Sequence, residues 1–156
     1  MSFQISSPAF QCGEQMPERF SNTGAGRNIS PPLTWENPPE GTKCFALIAE
    51  DIDAPVIGLI THWILYNIPA PQRELAENVP HQASFPDGMM QGRNFYRQNG
   101  YMGPSPPFGT HRYYFRIYAL DAALPPEPKM HRKKLLKMME NHILGQAQLL
   151  GRYSKR

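Results

Sequence analysis

A chain of 156 residues can bury roughly two-thirds of the surface its unfolded form exposes, so one domain over residues 1–156 with its own core is expected. With 40% hydrophobic and 19% charged residues it falls outside the disordered class, and 17 prolines with 12 glycines favour short strands and turns over a helical bundle. A net charge of +3 is too mild to select nucleic acid, and no run approaches the roughly 18 apolar residues of a transmembrane span.

The N-terminus has no basic start followed by an apolar core, so cytoplasmic residence is expected. Cys12 and Cys44 lack CxxC spacing, which argues against a zinc or redox pair.

In chain order, residues 3–10 read as a first, edge strand broken by Pro8. Residues 23–32, rich in Gly, Ser and Pro, read as loop; their Gly24-Ala25-Gly26 lacks the third glycine and the strand-to-helix context of a dinucleotide fingerprint. A short strand at 33–35 and a Pro/Gly turn at 37–42 lead into an apolar run at 43–50, a core strand. It ends on Asp51 and Asp53, which alternation puts on one side of the extended chain. Residues 61–69 form a second apolar strand that begins with His62; if the two run antiparallel, the acids and the histidine meet at one edge.

Residues 69–94 are broken by Pro71, Pro80, Pro86 and Gly92 and predict a surface excursion, with a helical turn at 73–77. Residues 103–107, Gly-Pro-Ser-Pro-Pro, predict a rigid loop, because three prolines fix φ and remove donors. The aromatic and β-branched run 111–121 behind it predicts a strand. Residues 122–128 read as linker. A helix is predicted over 129–150, with Leu135, Met138, Met139, His142, Ile143, Gln146 and Leu149 on a core-facing stripe opposite Lys133, Lys134, Lys137 and Glu140. The basic excess collects here and in the tail that ends on Arg156.

Asp51, Asp53, His62, Tyr101, His111, Arg112 and Tyr113 are the informative polar groups. Each has a dull reading alone: the acids as turn formers, His62 as a core histidine, Arg112 as a partner for Asp51. Taken together, the blocks D-x-D-A-P at 51–55, T-H-W-x-L-Y-N-I-P at 61–69 and G-Y-x-G-P-x-P-P-x-G-x-H-R-Y at 100–113 resemble the phosphatidylethanolamine-binding protein family, which includes the Raf kinase inhibitor protein, and its bacterial and archaeal branch in particular. The likeness runs from Phe20 through residues 29–35 to the final helix.

The resemblance implies a mainly β, sandwich-like fold: a large central sheet on a smaller one, with peripheral helices including one at the C-terminus. It also implies a shallow anion pocket, lined by Asp51, Asp53, Pro55, His62, Tyr101, Gly103, Ser105, Pro106, Pro107, His111 and Tyr113. Ser105 stands where eukaryotic members usually carry Gly, and the stretch from Pro107 to His111 is shorter than theirs, so the rim differs. The family's cis peptides make Ala54–Pro55 a candidate for that geometry.

The expected function is non-catalytic binding of phosphate, a phosphorylated headgroup or a phosphopeptide, with a kinase or protease as protein partner and no cofactor. His62, His111 and Tyr113 would supply the donors, and affinity would rise as pH falls toward 6 and the histidines charge. Two alternatives use the same residues. One is a hydrolase- or lyase-like enzyme with a histidine base and Ser105 or Ser30 as nucleophile, although Ser105 sits between prolines without a nucleophile elbow. The other is a metal held by Asp51, His62 and His111. A homodimer through the apolar and aromatic surface is a further expectation.

Overall fold

The structure, a computed structural model, describes residues 1–155; the end of the basic tail, Arg156, lies outside the described residues. Strand alternation sets its layers. In Cys44–Asp51 (β3) and Thr110–Leu120 (β7), Phe45, Leu47, Tyr113, Phe115 and Ile117 face one interior, while Ala46, Ile48, Tyr118 and Leu120 face a second. Covering on both faces explains why β3 reads as a continuous apolar run.

The larger sheet has the order β6-β4-β3-β7-β8, adding Ile60–Pro69 (β4), Met90–Gln91 (β6) and Ile143–Ser154 (β8), with every pair antiparallel. The smaller sheet has the order β1-β2-β5, made of Gln4–Ser6 (β1), Leu33–Glu36 (β2) and Glu74–Leu75 (β5). It lays Ile5, Leu33, Trp35 and Leu75 on the first interior. Phe45, Leu47, Trp63 and Phe115 are almost wholly buried there, and each such side chain contributes roughly 1.5–3 kcal/mol through removal from water. On the opposite face, Arg132–Met139 (α1) closes the second interior with Leu135 and Met139. This is the mainly β, two-sheet architecture with a helix near the C-terminus that the sequence led us to expect. Among the described residues, no helix is long and apolar enough to cross a membrane.

Two local expectations are corrected. Residues 73–77 hold β5 and not a helical turn, because Leu75 is drawn into register with Leu33. The helix expected over 129–150 stops at Met139. Asn141 takes a left-handed φ of 70°, a conformation asparagine tolerates at helix ends, and the chain then turns into β8. Along β8, Leu149, Gly151 and Tyr153 are buried while Gln146, Gln148 and Arg152 are exposed, a period of two. Its glycines permit close crossings: a Cβ on Gly145 would lie 2.8 Å from Pro39, and one on Gly151 2.7 Å from Met16.

One polar group interrupts the second interior. Glu50, only 3% exposed, accepts from Arg116 Nε of β7 at 3.0 Å and from Arg132 Nε of α1 at 2.7 Å, which ties the helix to the sheet.

Candidate functional site

The register of β3 against β4 slips between Ala49↔Trp63 and Glu50↔Thr61, leaving His62 as the extra residue of a β-bulge. Bulges re-aim side chains. Here consecutive residues both meet aromatic rings of the first interior: His62 lies 5.3 Å from Tyr113 and Trp63 5.4 Å from Tyr101, between ring centres.

Asp51 ends β3 opposite both Ile60 and Tyr113. Its Oδ1 accepts the Asp53 backbone N–H at 2.8 Å and its Oδ2 accepts from His111 Nδ1 at 2.7 Å, so the carboxylate fixes the ring of the histidine at the second position of β7. Both side chains are buried.

The loop before β7 is fastened at several points. His62 Nδ1 donates to the Met102 carbonyl at 2.5 Å, and Met102 N–H returns a bond to the His62 carbonyl at 2.9 Å. Gly103 N–H donates to Asn28 Oδ1 at 2.7 Å, and Asn22 N–H donates to the Pro104 carbonyl at 2.8 Å. Gly103 has no room for a side chain, since a Cβ would stand 2.1 Å from the Phe20 carbonyl oxygen. The proline-stiffened loop is therefore locked against both β4 and the 20–28 segment.

These elements enclose a cavity of about 80 Å³. Of the residues expected there, Asp51, Pro55, His62, Gly103, Ser105, Pro106, Pro107 and His111 form its wall, joined by Asn22, Ile60, Tyr96 and Met102. Three others stand elsewhere. Asp53 turns outward to Arg112, whose Nε and Nη2 reach its carboxylate at 3.0 and 2.9 Å and hold its carboxyl below the usual carboxylate range. The two acids therefore do not share a side, and Arg112 pairs with Asp53 while His111 takes Asp51. Tyr101 lies beneath the site with its hydroxyl donating to the Phe20 carbonyl at 2.8 Å. Tyr113 packs against both imidazoles, its hydroxyl buried without a partner; burial first, then the Asp51 charge, push its pKa up. The Ala54–Pro55 bond is trans.

The four unforeseen wall residues carried little signal. Met102 acts through its backbone carbonyl, which no side-chain pattern reports, and Asn22 and Tyr96 come from irregular segments.

The two imidazoles differ. His62 is 6% exposed; with Nδ1–H given to Met102, its Nε2 carries only a lone pair in the neutral ring, and that atom is buried with no partner among the described residues. Burial is the main cause of a lowered pKa, reinforced by His111 and only partly offset by the Met102 carbonyl and Asp51. The expectation that His62 charges as pH approaches 6 is thereby corrected: it stays neutral where an exposed histidine would take a proton. His111 gives Nδ1 to Asp51, which leaves Nε2 as its free end. Among the described residues, no three His, Cys, Asp or Glu side chains converge as metal ligands.

Residues 6–154 match the family model described as phosphatidylethanolamine-binding protein. A UPF0098 protein of Methanothermobacter thermautotrophicus is 45% identical over 151 residues, covering 97% of this chain and 98% of that protein. One from Aquifex aeolicus is 42% identical over 155 residues, covering 97% and 88%. Among solved structures, a Chlamydia trachomatis protein described as a homolog of phosphatidylethanolamine-binding protein has a TM-score of 0.90 at 38% identity, with 99% of each chain covered. Escherichia coli YBCL, described as a new member of the mammalian family, has a TM-score of 0.89 at 32% identity, also over 99% of each chain. With the motif blocks, the two-sheet fold and these likenesses all extending over nearly its full length, the chain belongs to the phosphatidylethanolamine-binding protein family, among its bacterial and archaeal members.

Proposed function

We propose that this chain is a non-catalytic binding protein whose cavity takes a small oxyanion: phosphate or a phosphorylated headgroup. The observation that carries the reading is two imidazoles on one cavity wall, each anchored through Nδ1 and each with Nε2 left without a protein partner among the described residues. When His111 Nε2 holds a proton it donates to the anion, and Asp51 balances the imidazolium charge. At about 80 Å³ the space holds several water-sized volumes of roughly 10–15 Å³ each, enough for an oxyanion and far too little for an acyl chain. Neither serine favours catalysis. Ser105 is exposed and makes no hydrogen bond to an imidazole among the described residues, and buried Ser30 accepts from Val79 N–H at 2.8 Å away from the cavity.

Titrating inorganic phosphate while following imidazole NMR signals tests this. The His62 and His111 resonances are expected to shift in wild type, and His111→Ala is expected to weaken binding by about 10- to 100-fold, the worth of a charge-assisted hydrogen bond. Unmoved resonances, or equal affinity in the variant, would end the proposal.

A second reading has its own support. Val56 follows the wall residue Pro55 and Phe108 follows Pro107; both are exposed, as is Tyr96 on the wall itself. An apolar rim around an oxyanion cavity suits a phosphorylated protein segment, such as one from a kinase or protease, better than free phosphate. Phosphoserine flanked by apolar residues is then expected to bind about tenfold better than free phosphoserine, and Phe108→Ser is expected to erase that gain. Equal binding of the two ligands to wild type would sink this reading and leave the first intact.

A further inference from the structure

We propose that β8 accepts an added strand: its open edge takes an extended acidic segment of another protein, whose backbone pairs with Gln146 and Gln148 and whose glutamate meets the Arg116–Arg132 cleft beside them. This surface is separate from the strand-end cavity and does not depend on the oxyanion reading.

The edge is defined by what already covers part of it. The segment 13–16 lies along the outer side of β8: Gly13 N–H donates to the Leu150 carbonyl at 2.7 Å, and Arg152 N–H donates to the Glu14 carbonyl at 2.9 Å. From Gly145 to Ser154 the register with β7 is unbroken, so alternation turns the backbone groups of Gln146 and Gln148 outward as well. Their N–H and C=O groups have no partner there among the described residues, and both side chains are exposed. Proteins blunt a long edge with charge, proline or cover. Residues 143–150 carry no charge and no proline, although Lys133, Lys134 and Lys137 precede them and Arg152 follows. The other edge strands, β1, β5 and β6, are only two or three residues long.

The charge beside the edge selects the occupant. Gln146 and Gln148 stand opposite Tyr118 and Arg116 and, with Arg132 and Glu50, wall an open cleft of about 440 Å³. Glu50 is the only acid on that wall, so two guanidiniums leave one positive charge in excess. Arg132 spends only Nε on Glu50, and Arg116 spends Nε on Glu50 and Nη1 on Gln148, so both Nη groups of Arg132 and Nη2 of Arg116 remain without a protein partner among the described residues. An added strand lies about 4.8 Å beyond β8, with every second side chain on the cleft side. A glutamate there meets free guanidinium donors. Pairing with a second copy would instead set two such clefts on one face of a joined sheet, each with the same unbalanced charge, which works against that occupant.

The test is an NMR titration of the full chain with the blocked peptide acetyl-Thr-Glu-Val-Glu-Val-Glu-Thr-amide, against its counterpart with lysine in place of each glutamate. The Gln146 and Gln148 amide signals are expected to shift, and their hydrogen exchange to slow by about tenfold or more at saturation. The lysine peptide is expected to bind about tenfold more weakly, the worth of a charge-assisted hydrogen bond at a partly exposed site. Equal binding of the two peptides, or unmoved Gln146 and Gln148 signals, would overturn the proposal. Gln146→Pro removes an N–H that bonds to nothing inside the fold and is expected to weaken the acidic peptide by about tenfold or more. A glutamate peptide whose central valine-side residues are N-methylated is expected to lose binding likewise, with the protein unchanged; retained affinity there would mean that no strand forms. Arg132→Gln is expected to bring the two peptides to similar affinities, and preserved discrimination would overturn the assignment to the cleft. Sedimentation of the free chain is expected to show a monomer; a dimer that Gln146→Pro dissociates would give the edge to a second copy and overturn the acidic occupant.

Discussion

Replacing Arg116 and Arg132 together by alanine is expected to destabilise the fold by about 3–5 kcal/mol, more than the two single replacements added together. Glu50 is 3% exposed, and its two oxygens are each taken by one arginine, from β7 and from α1. Either guanidinium alone still neutralises the carboxylate, so a single replacement removes one hydrogen bond and some packing. The second leaves a charge in the interior with no partner. Arg116 also stacks on Tyr114 at 4.5 Å, so Arg116→Ala is expected to be the costlier single change. A double-mutant cycle in urea measures the coupling, and repeating it in a Glu50→Gln background isolates the charge. If the two losses simply add, or if Glu50→Gln leaves the coupling unchanged, the clamp is not what holds α1 to the sheet.

That clamp is invisible in the sequence, where Glu50 is an acid at the end of an apolar run and its partners lie 66 and 82 positions away. What the sequence reports well is short-range. The strands β2, β3, β4 and β7 declared themselves through apolar runs bounded by Pro and Gly, and the antiparallel pairing of β3 with β4 brings Asp51 beside Ile60 and near His62, as the two chain ends foretold. The C-terminal stretch shows the limit. Residues 143–154 satisfy both a three-to-four-residue stripe and strict alternation, and Asn141 in the left-handed region decides between them. Lone β8 hydrogen bonds mean little; eleven register positions against β7 settle the strand.

At the site, the wall residues carried by contiguous blocks were legible because a proline-rich loop and a strand end deliver neighbours together. Asp53 was not, since two acids one residue apart looked equivalent until Arg112 drew one outward and His111 the other inward. The state of His62 was hidden for a different reason: a bulge set its direction and a backbone carbonyl set its tautomer, and neither is written in residue types.

Burial of His62 gives the stability curve a predictable slope on the acid side. An unfolded chain takes a proton at this residue below about pH 6.5, whereas the folded chain, with the imidazole's pKa lowered, resists it. The unfolded state therefore binds more protons in this window, and stability falls as pH falls, with a contribution from this one group of at most about 1.4 kcal/mol per pH unit. The effect is fully absent above the unfolded value and grows downward until the folded ring itself is protonated. Other groups with shifted values act elsewhere: hydrogen bonds from Arg112 lower Asp53 and the contact with Lys134 lowers Glu127, both away from this window, and burial raises the Cys44 thiol to about 11. Between pH 6.5 and 5, urea unfolding of wild type against His62→Asn is thus expected to show a steeper decline for wild type, whatever their stabilities at neutral pH. Parallel curves across that interval would mean that the folded state accepts the proton as readily as the unfolded one. Burial of the imidazole would then not be what sets its charge.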